Sequence, residues 1–527
     1  MGFAAQLRIL EAAKDSPALL ALATVDFAHH ALAEAERSRI KQALVAAAVP
    51  HWCDRDFLAV LLETTPQESG LLLTELRKLT VLEPFPARGK DTFNVHEAAR
   101  LALREHLRVS DAVAWKTLSA RARAHVVRNR EPHARIEALF HLFATDQPAA
   151  AEQCEALERD FASGGSPEVR HALALCLQEL TAAGWLTGAA KVEALYSPLE
   201  VRNDRGEAAQ LEAEARGLVE LARNASYLPG IARAQCLLGD VLEAKGRLDD
   251  ALAAYREFLA ISRDLVATDP SNPGRQREVA VAHSKLGDIH QVQGRLDDAL
   301  AAYREFLAIA QRLAAPDPSN AGPQRDLAVA HSKIGDIHQE QGRLDDALAA
   351  YSTDLAISQR LSATDPSSAG WQRDLAVAYS RVGDIHQAQG RRDDALAAYR
   401  EDLAIFQRLA ASDPSSAGWQ REVAVAHSKV GGIHQEQGRL DDALAAYREY
   451  CATFQRLAAT DPSNAGWQRD LAVAQNRLGR VFREMGLERQ ARSSLRAAVK
   501  TMARAAKMSP ENPGWKSDLD NLKSWLD

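Results

Sequence analysis

The sequence predicts a mainly α-helical chain whose larger part, residues 221–527, is an α-solenoid, a right-handed superhelix of stacked helix pairs. Three observations predict it. The twelve residues GRLDDALAAYRE at 246–257 return unchanged at 294–305 and 438–449, and with one substitution at 390–401. The phrase DPSN or DPSS stands at Asp269, Asp317, Asp365, Asp413 and Asp461, a period of 48 residues. Between these markers apolar residues recur at three- and four-residue steps, the pattern of helices with one buried face.

The first 110 residues differ from the rest. Stretches around 4–14 and 29–48 read as helices, as do HWCDRDFLAVLLE and TPQESGLLLTELRKL. VLEPFPARGKDTFNV then reads as a β-hairpin with its tip at Arg88, Gly89 and Lys90, and HEAARLALREHL as a closing helix. That order resembles the winged helix of bacterial STAND-type signalling ATPases, in which a hydrophobe-His-Asp motif opens the last helix. The matching residues are Val95, His96 and Glu97. The resemblance implies a docking or nucleic-acid module. Glu97 stands where the family has Asp, and no GxxxxGK followed by Ser or Thr occurs, so no backbone nest for a triphosphate is expected. His96 then reads as a helix-start or packing residue. The candidate recognition helix, 66–79, sets Glu68 and Glu75 against Arg77 and Lys78, whereas a helix reading DNA is normally basic, so nucleic acid is not an expected partner.

Residues 111–220 read as a helical adaptor that caps the array. ARIEALFHLFA, PEVRHALALCLQELTAAGWL and EAAQLEAEARGLVELA all carry a helix period, with loops expected at 162–167 and 202–206.

From 221 six units of 48 residues and a half unit follow, each read as helix, tight turn, helix and breaker. In 365–412 the first helix presents Trp371, Leu375, Ala378, Tyr379, Val382, Gly383, Ile385 and His386 on one face. The second presents Ala395, Leu396, Tyr399, Leu403, Ile405 and Leu409 before Asp413 and Pro414 end it. The pairs Leu286–Gly287, Ile334–Gly335, Val382–Gly383, Val430–Gly431 and Leu478–Gly479, with Ala299 and Tyr303 and their successors Ala347/Tyr351, Ala395/Tyr399 and Ala443/Tyr447, recur in register. On these residues the units resemble tetratricopeptide repeats. The family period is about 34 residues. The surplus of about two heptads lengthens both helices without turning their apolar faces off the core.

The resemblance implies a concave wall lined by first helices, with partner-facing positions at Ser284, Asp288 and Gln291; Ser332, Asp336 and Gln339; Ser380, Asp384 and Gln387; Ser428, Gly432 and Gln435; and Asn476, Arg480 and Arg483. The ladder is polar and mildly acidic until its last rung, which is basic. Carboxylates repeating at about 10 Å would repel one another, which suggests a partner supplying cations or N–H donors. A second column, Phe258, Phe306, Asp354, Asp402, Tyr450 and Ala498, varies while its neighbours barely change, and reads as packing before partner contact.

Composition excludes other classes. With 46% hydrophobic and 26% charged residues and a net charge of −7 over 527 residues, the chain is neither disordered nor a basic nucleic-acid binder. Five scattered cysteines without a CxxC pair fit a reducing compartment. The start lacks a signal-peptide apolar region, Gln6 spoils a myristoylation signal, and no run of apolar residues is long enough to span a bilayer. A cytoplasmic location without membrane contact is expected. The histidine pairs His283/His290, His331/His338 and His427/His434 are seven apart rather than the four of a helical zinc pair, so no metal is expected. Neither HExxH, GxSxG nor a Gly-rich dinucleotide loop occurs, so no catalytic residue and no cofactor is expected. The reading is a non-enzymatic adaptor that binds a protein or peptide in its repeats. The alternative is a bacterial signalling or defence regulator, or a winged-helix DNA-binding one, whose array captures a ligand.

Overall fold

A computed structural model describes Ala13, residues 16–163, 167–510 and 512–525. The expected helix at 4–14 therefore falls outside the described residues, apart from Ala13. The chain divides into two compact units, Met1–Asp269 and Pro270–Asp527.

The N-terminal unit opens with helices Pro17–Ala28, Glu34–Ala48, Arg55–Leu62 and Pro66–Leu76. Local chemistry sets their starts. Asp54 Oδ1 accepts the Phe57 N–H at 2.8 Å, and Thr65 and Glu68 form a reciprocal capping box ahead of Pro66. Strands Leu82–Pro84 and Phe93–Val95 pair antiparallel, Leu82 opposite Val95, around a short turn of helix at Pro86–Arg88. Helix Glu97–Ser110 follows directly. Phe57, Leu58, Leu61, Leu76, Val95 and Leu103 form one core there.

Helices Ala112–Val126, Pro132–Thr145, Gln147–Ser163, Pro167–Ala182, Gly188–Arg202 and Glu212–Asn224 come next. Leu139, Phe143, Cys154, Leu173, Leu177 and Ala194 build a second core among them. The loop expected at 202–206 is instead a wide helical turn, Asn203–Glu207, which ends where Gly206 takes φ +84°. Of the loop expected at 162–167, residues 164–166 lie outside the described set.

The repeats are helix pairs, beginning with Leu228–Ala244 and Leu248–Thr268 in the N-terminal unit. In the C-terminal unit the pairs are Pro273–Val292 with Leu296–Ala314, Ala321–Glu340 with Leu344–Thr364, Ala369–Ala388 with Arg392–Ser412, Ala417–Glu436 with Leu440–Thr460, and Ala465–Glu484 with Glu488–Met508, followed by Pro513–Lys523. The unit is a mainly α solenoid. First helices run 20 residues and most second helices 21. The exception, Leu296–Ala314, is shorter because Pro316 stands where the neighbouring units have Thr, and proline disfavours helix in the residue before it.

Two kinds of glycine shape each pair. Gly294 adopts φ +72° in the turn with open space around it, so conformation alone requires it. Gly383 has helical geometry, but a Cβ there would sit 2.6 Å from Tyr399 Cε1, so space requires it. Tyr303, Tyr351, Tyr399 and Tyr447 are accordingly almost wholly buried. Units then pack on one another: Leu300 and Tyr303 meet Ile334 and Ile337 of the following unit. Asp365, Asp413 and Asp461 close the second helices, their carboxylates accepting the backbone N–H and hydroxyl of the Ser two residues on. Ser368, Ser416 and Asn464 then cap the next helix.

Candidate functional site

The tyrosine buried under each glycine carries its hydroxyl out to the ladder. Tyr303 Oη lies 2.6 Å from Asp288 Oδ1 and 3.0 Å from Gln291 Oε1. Tyr351 repeats both distances with Asp336 and Gln339, and Tyr399 with Asp384 and Gln387. Burial and the neighbouring carboxylate raise these phenols, which therefore stay protonated donors.

The second partner of each carboxylate comes from the following unit. Lys333 Nζ stands 2.7 Å from Asp288 Oδ1, Arg381 Nη2 3.5 Å from Asp336 Oδ2, and Lys429 Nζ 2.7 Å from Asp384 Oδ1. The expectation that a partner must supply the neutralising cations is therefore corrected, because each cation sits 45 residues downstream in the same chain. Gln291, Gln387 and Gln435 likewise donate to Glu340, Glu436 and Glu484 one unit on. Gln339 has no such acceptor, since Ala388 stands at that place.

Most ladder residues are half-exposed, and Gln339 is exposed. Ser332 is the exception at 5% exposure, turned into the array beside Asp354. Ser284 and Ser380 remain partly exposed, and Ser380 Oγ accepts from Lys429 Nζ at 2.7 Å.

The fourth rung breaks the pattern. Gly432 replaces its aspartate, and Tyr447 Oη reaches Gln435 Oε1 at 3.1 Å, with the Arg477 guanidinium beside it. Burial raises the Tyr447 phenol too, but the nearest charges are now Arg477 and Arg480, which oppose the rise. A cleft of about 490 Å³ opens beside this rung between Asp384, Lys429, Arg477 and Arg480. Arg480 and Arg483 both lie over the Trp525 ring, at 5.0 and 5.9 Å, and Arg483 Nη2 donates to the Trp525 carbonyl at 2.6 Å.

The variable column is core throughout. Phe258, Phe306, Tyr450 and Ala498 are buried, and so are Asp354 and Asp402. Burial pushes the carboxyl of Asp354 up to about 6 and that of Asp402 up to about 7. His283, His338 and His434 are also buried, and among the described residues no group of three or more His, Cys, Asp or Glu could hold a metal ion. Cys53, Cys154, Cys176 and Cys451 are free thiols.

The N-terminal unit holds a larger cleft, about 1220 Å³, with Trp52, Leu101, Trp115, Leu175 and Trp185 in its walls. A charged network forms its floor. Glu137, 2% exposed, accepts the backbone N–H of His51 at 2.9 Å and contacts His51 Nδ1 at 2.7 Å and His141 Nε2 at 3.1 Å. Glu179 takes Arg100 at 3.1 Å and also Arg104, whose Nε donates to the Ala48 carbonyl. Burial opposes charge on His51, but the Glu137 carboxylate outweighs it and holds the imidazole above its usual pKa. Nothing in the sequence flagged this network, whose partners lie far apart along the chain. His96 is exposed at the start of its helix and makes no side-chain capping bond there.

The fold and the rungs define an α-solenoid of stacked helix pairs. Its repeats are tetratricopeptide repeats, with family models matching residues 232–265 and 326–408. No curated protein matches the sequence. Among solved structures, a signal transduction ATPase with numerous domains and a tetratricopeptide repeat sensor, from Pyrococcus horikoshii, matches at 14% identity over 97% of this chain and 67% of that one, with a TM-score of 0.58. BtubC from P. vanneervenii matches at 23% identity over 49% of this chain and 91% of that one, with a TM-score of 0.39. A Rap protein complexed with competence and sporulation factor matches at 13% identity over 72% and 98%, with a TM-score of 0.42. At 14% identity the likeness to the ATPase is one of fold alone. Among the described residues no helix is long and apolar enough to cross a membrane.

Proposed function

We propose that the chain is a non-enzymatic interaction scaffold whose first-helix ladder takes up an extended segment of another protein. The observation that carries this reading is the rung itself. Tyrosine, aspartate and the next unit's cation fix one another, so the half-exposed polar groups of successive units are held in place before any partner arrives. A surface already ordered loses little entropy on binding. Ser284, Asp288, Gln291, Ser380, Asp384, Gln387 and Gln435 are its contact groups, with Arg480 and Arg483 at the basic end. Ser332, being buried, supports the wall instead.

A photo-crosslinking amino acid in place of exposed Gln339 identifies the partner and the segment that lies on the ladder. The combined variant Asp288→Asn, Asp336→Asn, Asp384→Asn keeps an acceptor for each tyrosine while removing the charge. It should bind that segment about tenfold more weakly, with a flatter salt dependence. Unchanged affinity and salt response would take the ladder out of the binding surface.

The large apolar cleft of the N-terminal unit favours a second reading, a regulator in which that unit contacts an effector according to what the array has bound. Loss of effector binding in the triple variant, with the N-terminal unit unaltered, would distinguish the regulator from a passive scaffold.

A further inference from the structure

The rung at Gly432 lacks the carboxylate that the three preceding rungs share. In the three preceding rungs a carboxylate at Asp288, Asp336 or Asp384 is shared between the tyrosine of its own unit and a cation 45 residues on. At the fourth rung the tyrosine, Tyr447, and the cation, Arg477, are both present, and the carboxylate position is Gly432. A second guanidinium, Arg480, stands one period after Gly432, where the earlier units carry Asp.

Among the described residues neither Arg477 nor Arg480 forms an ion pair, and both line the 490 Å³ cleft that also opens on Gly432. The acidic groups of that cleft already have partners among its other lining residues. Asp384 holds Tyr399 and Lys429, Glu436 accepts from Gln387, and Glu484 accepts from Gln435. Packing does not demand the glycine either. A Cβ on Gly432 would meet only Tyr447 Oη, at 3.7 Å, an ordinary contact.

We propose that this rung is an anion subsite. A carboxylate side chain from an extended peptide enters the cleft beside Gly432, takes the place that aspartate holds in the other rungs, and pairs with Arg477 and Arg480. This rests on the reading that the ladder takes up a peptide, and it adds what that peptide carries: an Asp or Glu at the position facing the Gly432 rung. Guanidinium favours a carboxylate partner because its planar N–H fork matches the two oxygens.

The test uses fluorescein-labelled hexaglutamate and hexaglutamine, both acetylated and amidated at their ends, and a third probe, hexaglutamine with a free C-terminal carboxylate. Fluorescence anisotropy with the full chain should show hexaglutamate binding at least tenfold more tightly than amidated hexaglutamine. Arg477→Gln should remove that preference. Gly432→Asp, which closes the rung from within, should remove it too while leaving the melting temperature unchanged or higher. Equal binding of the two amidated peptides, or hexaglutamate binding retained in Gly432→Asp, overturns the subsite without touching the ladder reading. So does the absence of any binding, because the ladder is judged separately by crosslinking. Tighter binding of free-acid hexaglutamine than of hexaglutamate overturns the side-chain assignment and makes a chain terminus the source of the carboxylate.

Discussion

The two units put the same kinds of charged residue to opposite uses. In the N-terminal unit charges go inside. Arg233, with its side chain 12% exposed, lies between Glu158 and Glu193, and Glu137 between His51 and His141. In the repeats the pairs stay half-exposed and recur at fixed offsets, as in Asp288 with Lys333 and Asp384 with Lys429. Desolvation separates the cases. A buried pair is costly to break because the survivor is stranded, whereas an exposed pair contributes little on its own and mainly holds its groups in place.

The sharpest way to break this contrast is Arg233→Met, which strands Glu158 and Glu193. It should cost the N-terminal unit about 3–5 kcal/mol in urea unfolding. Burial already holds the Glu158 carboxyl up at about 7 despite Arg233, and loss of the guanidinium raises it further, so proton uptake gives the variant partial relief that grows as pH falls. A cost under about 1 kcal/mol at pH 8 would show that the buried charges of this unit behave like surface ones.

A smaller effect tests the repeats, where steric fit does what buried charge does in the other unit. Gly383→Leu pushes a side chain into the Tyr399 ring and should lower the stability of the C-terminal unit by about 1–3 kcal/mol. An unchanged thermal melt would detach the glycine from helix packing.

The smallest effect concerns Asp402, which like Asp354 is a carboxylate that the repeats bury. Its folded pKa, about 7, lies above the unfolded value, so the folded state takes up a proton first as pH falls. The sign is therefore stabilisation on going from pH 8 to pH 5, with the penalty present above about 7. Asp402→Phe places at this site the residue that the same column carries two units earlier, Phe306. It should gain on the order of 1 kcal/mol at pH 8 and less at pH 5, measured by melts at both values. Equal gains at both pH values would mean that Asp402 is not titrating in the core.

What could be read from the sequence follows the same division. The helix pairs, the turn glycines and the close approach at Gly383 were legible because each recurs at a fixed offset, and repetition separates signal from accident. The first-helix ladder was legible as recurring positions, but its bonds were not. The cations at Lys333, Arg381 and Lys429 share a 45-residue offset from their aspartates, a signal present in the sequence and unused. Ser332 reads as a ladder position in the sequence, yet it is buried beside Asp354. The charged core of the N-terminal unit was not legible at all. Arg233 and Glu158 are 75 residues apart and Glu137 and His51 are 86 apart, with no repeat to betray either pairing.

Three rungs close between an aspartate and a cation 45 residues on, inside a period of 48, so each of these ion pairs straddles one unit boundary. Excise any single period between Asp288 and Lys429, and the bond that opens is remade at once with the next cation along: Asp288 would meet Arg381 where it had met Lys333. Unequal recombination within the gene could thus lengthen or shorten the array without orphaning a charge, until it reached Gly432. There the series stops being interchangeable, and the unit that carries Arg477 and Arg480 acquires a fixed address in an otherwise copyable chain.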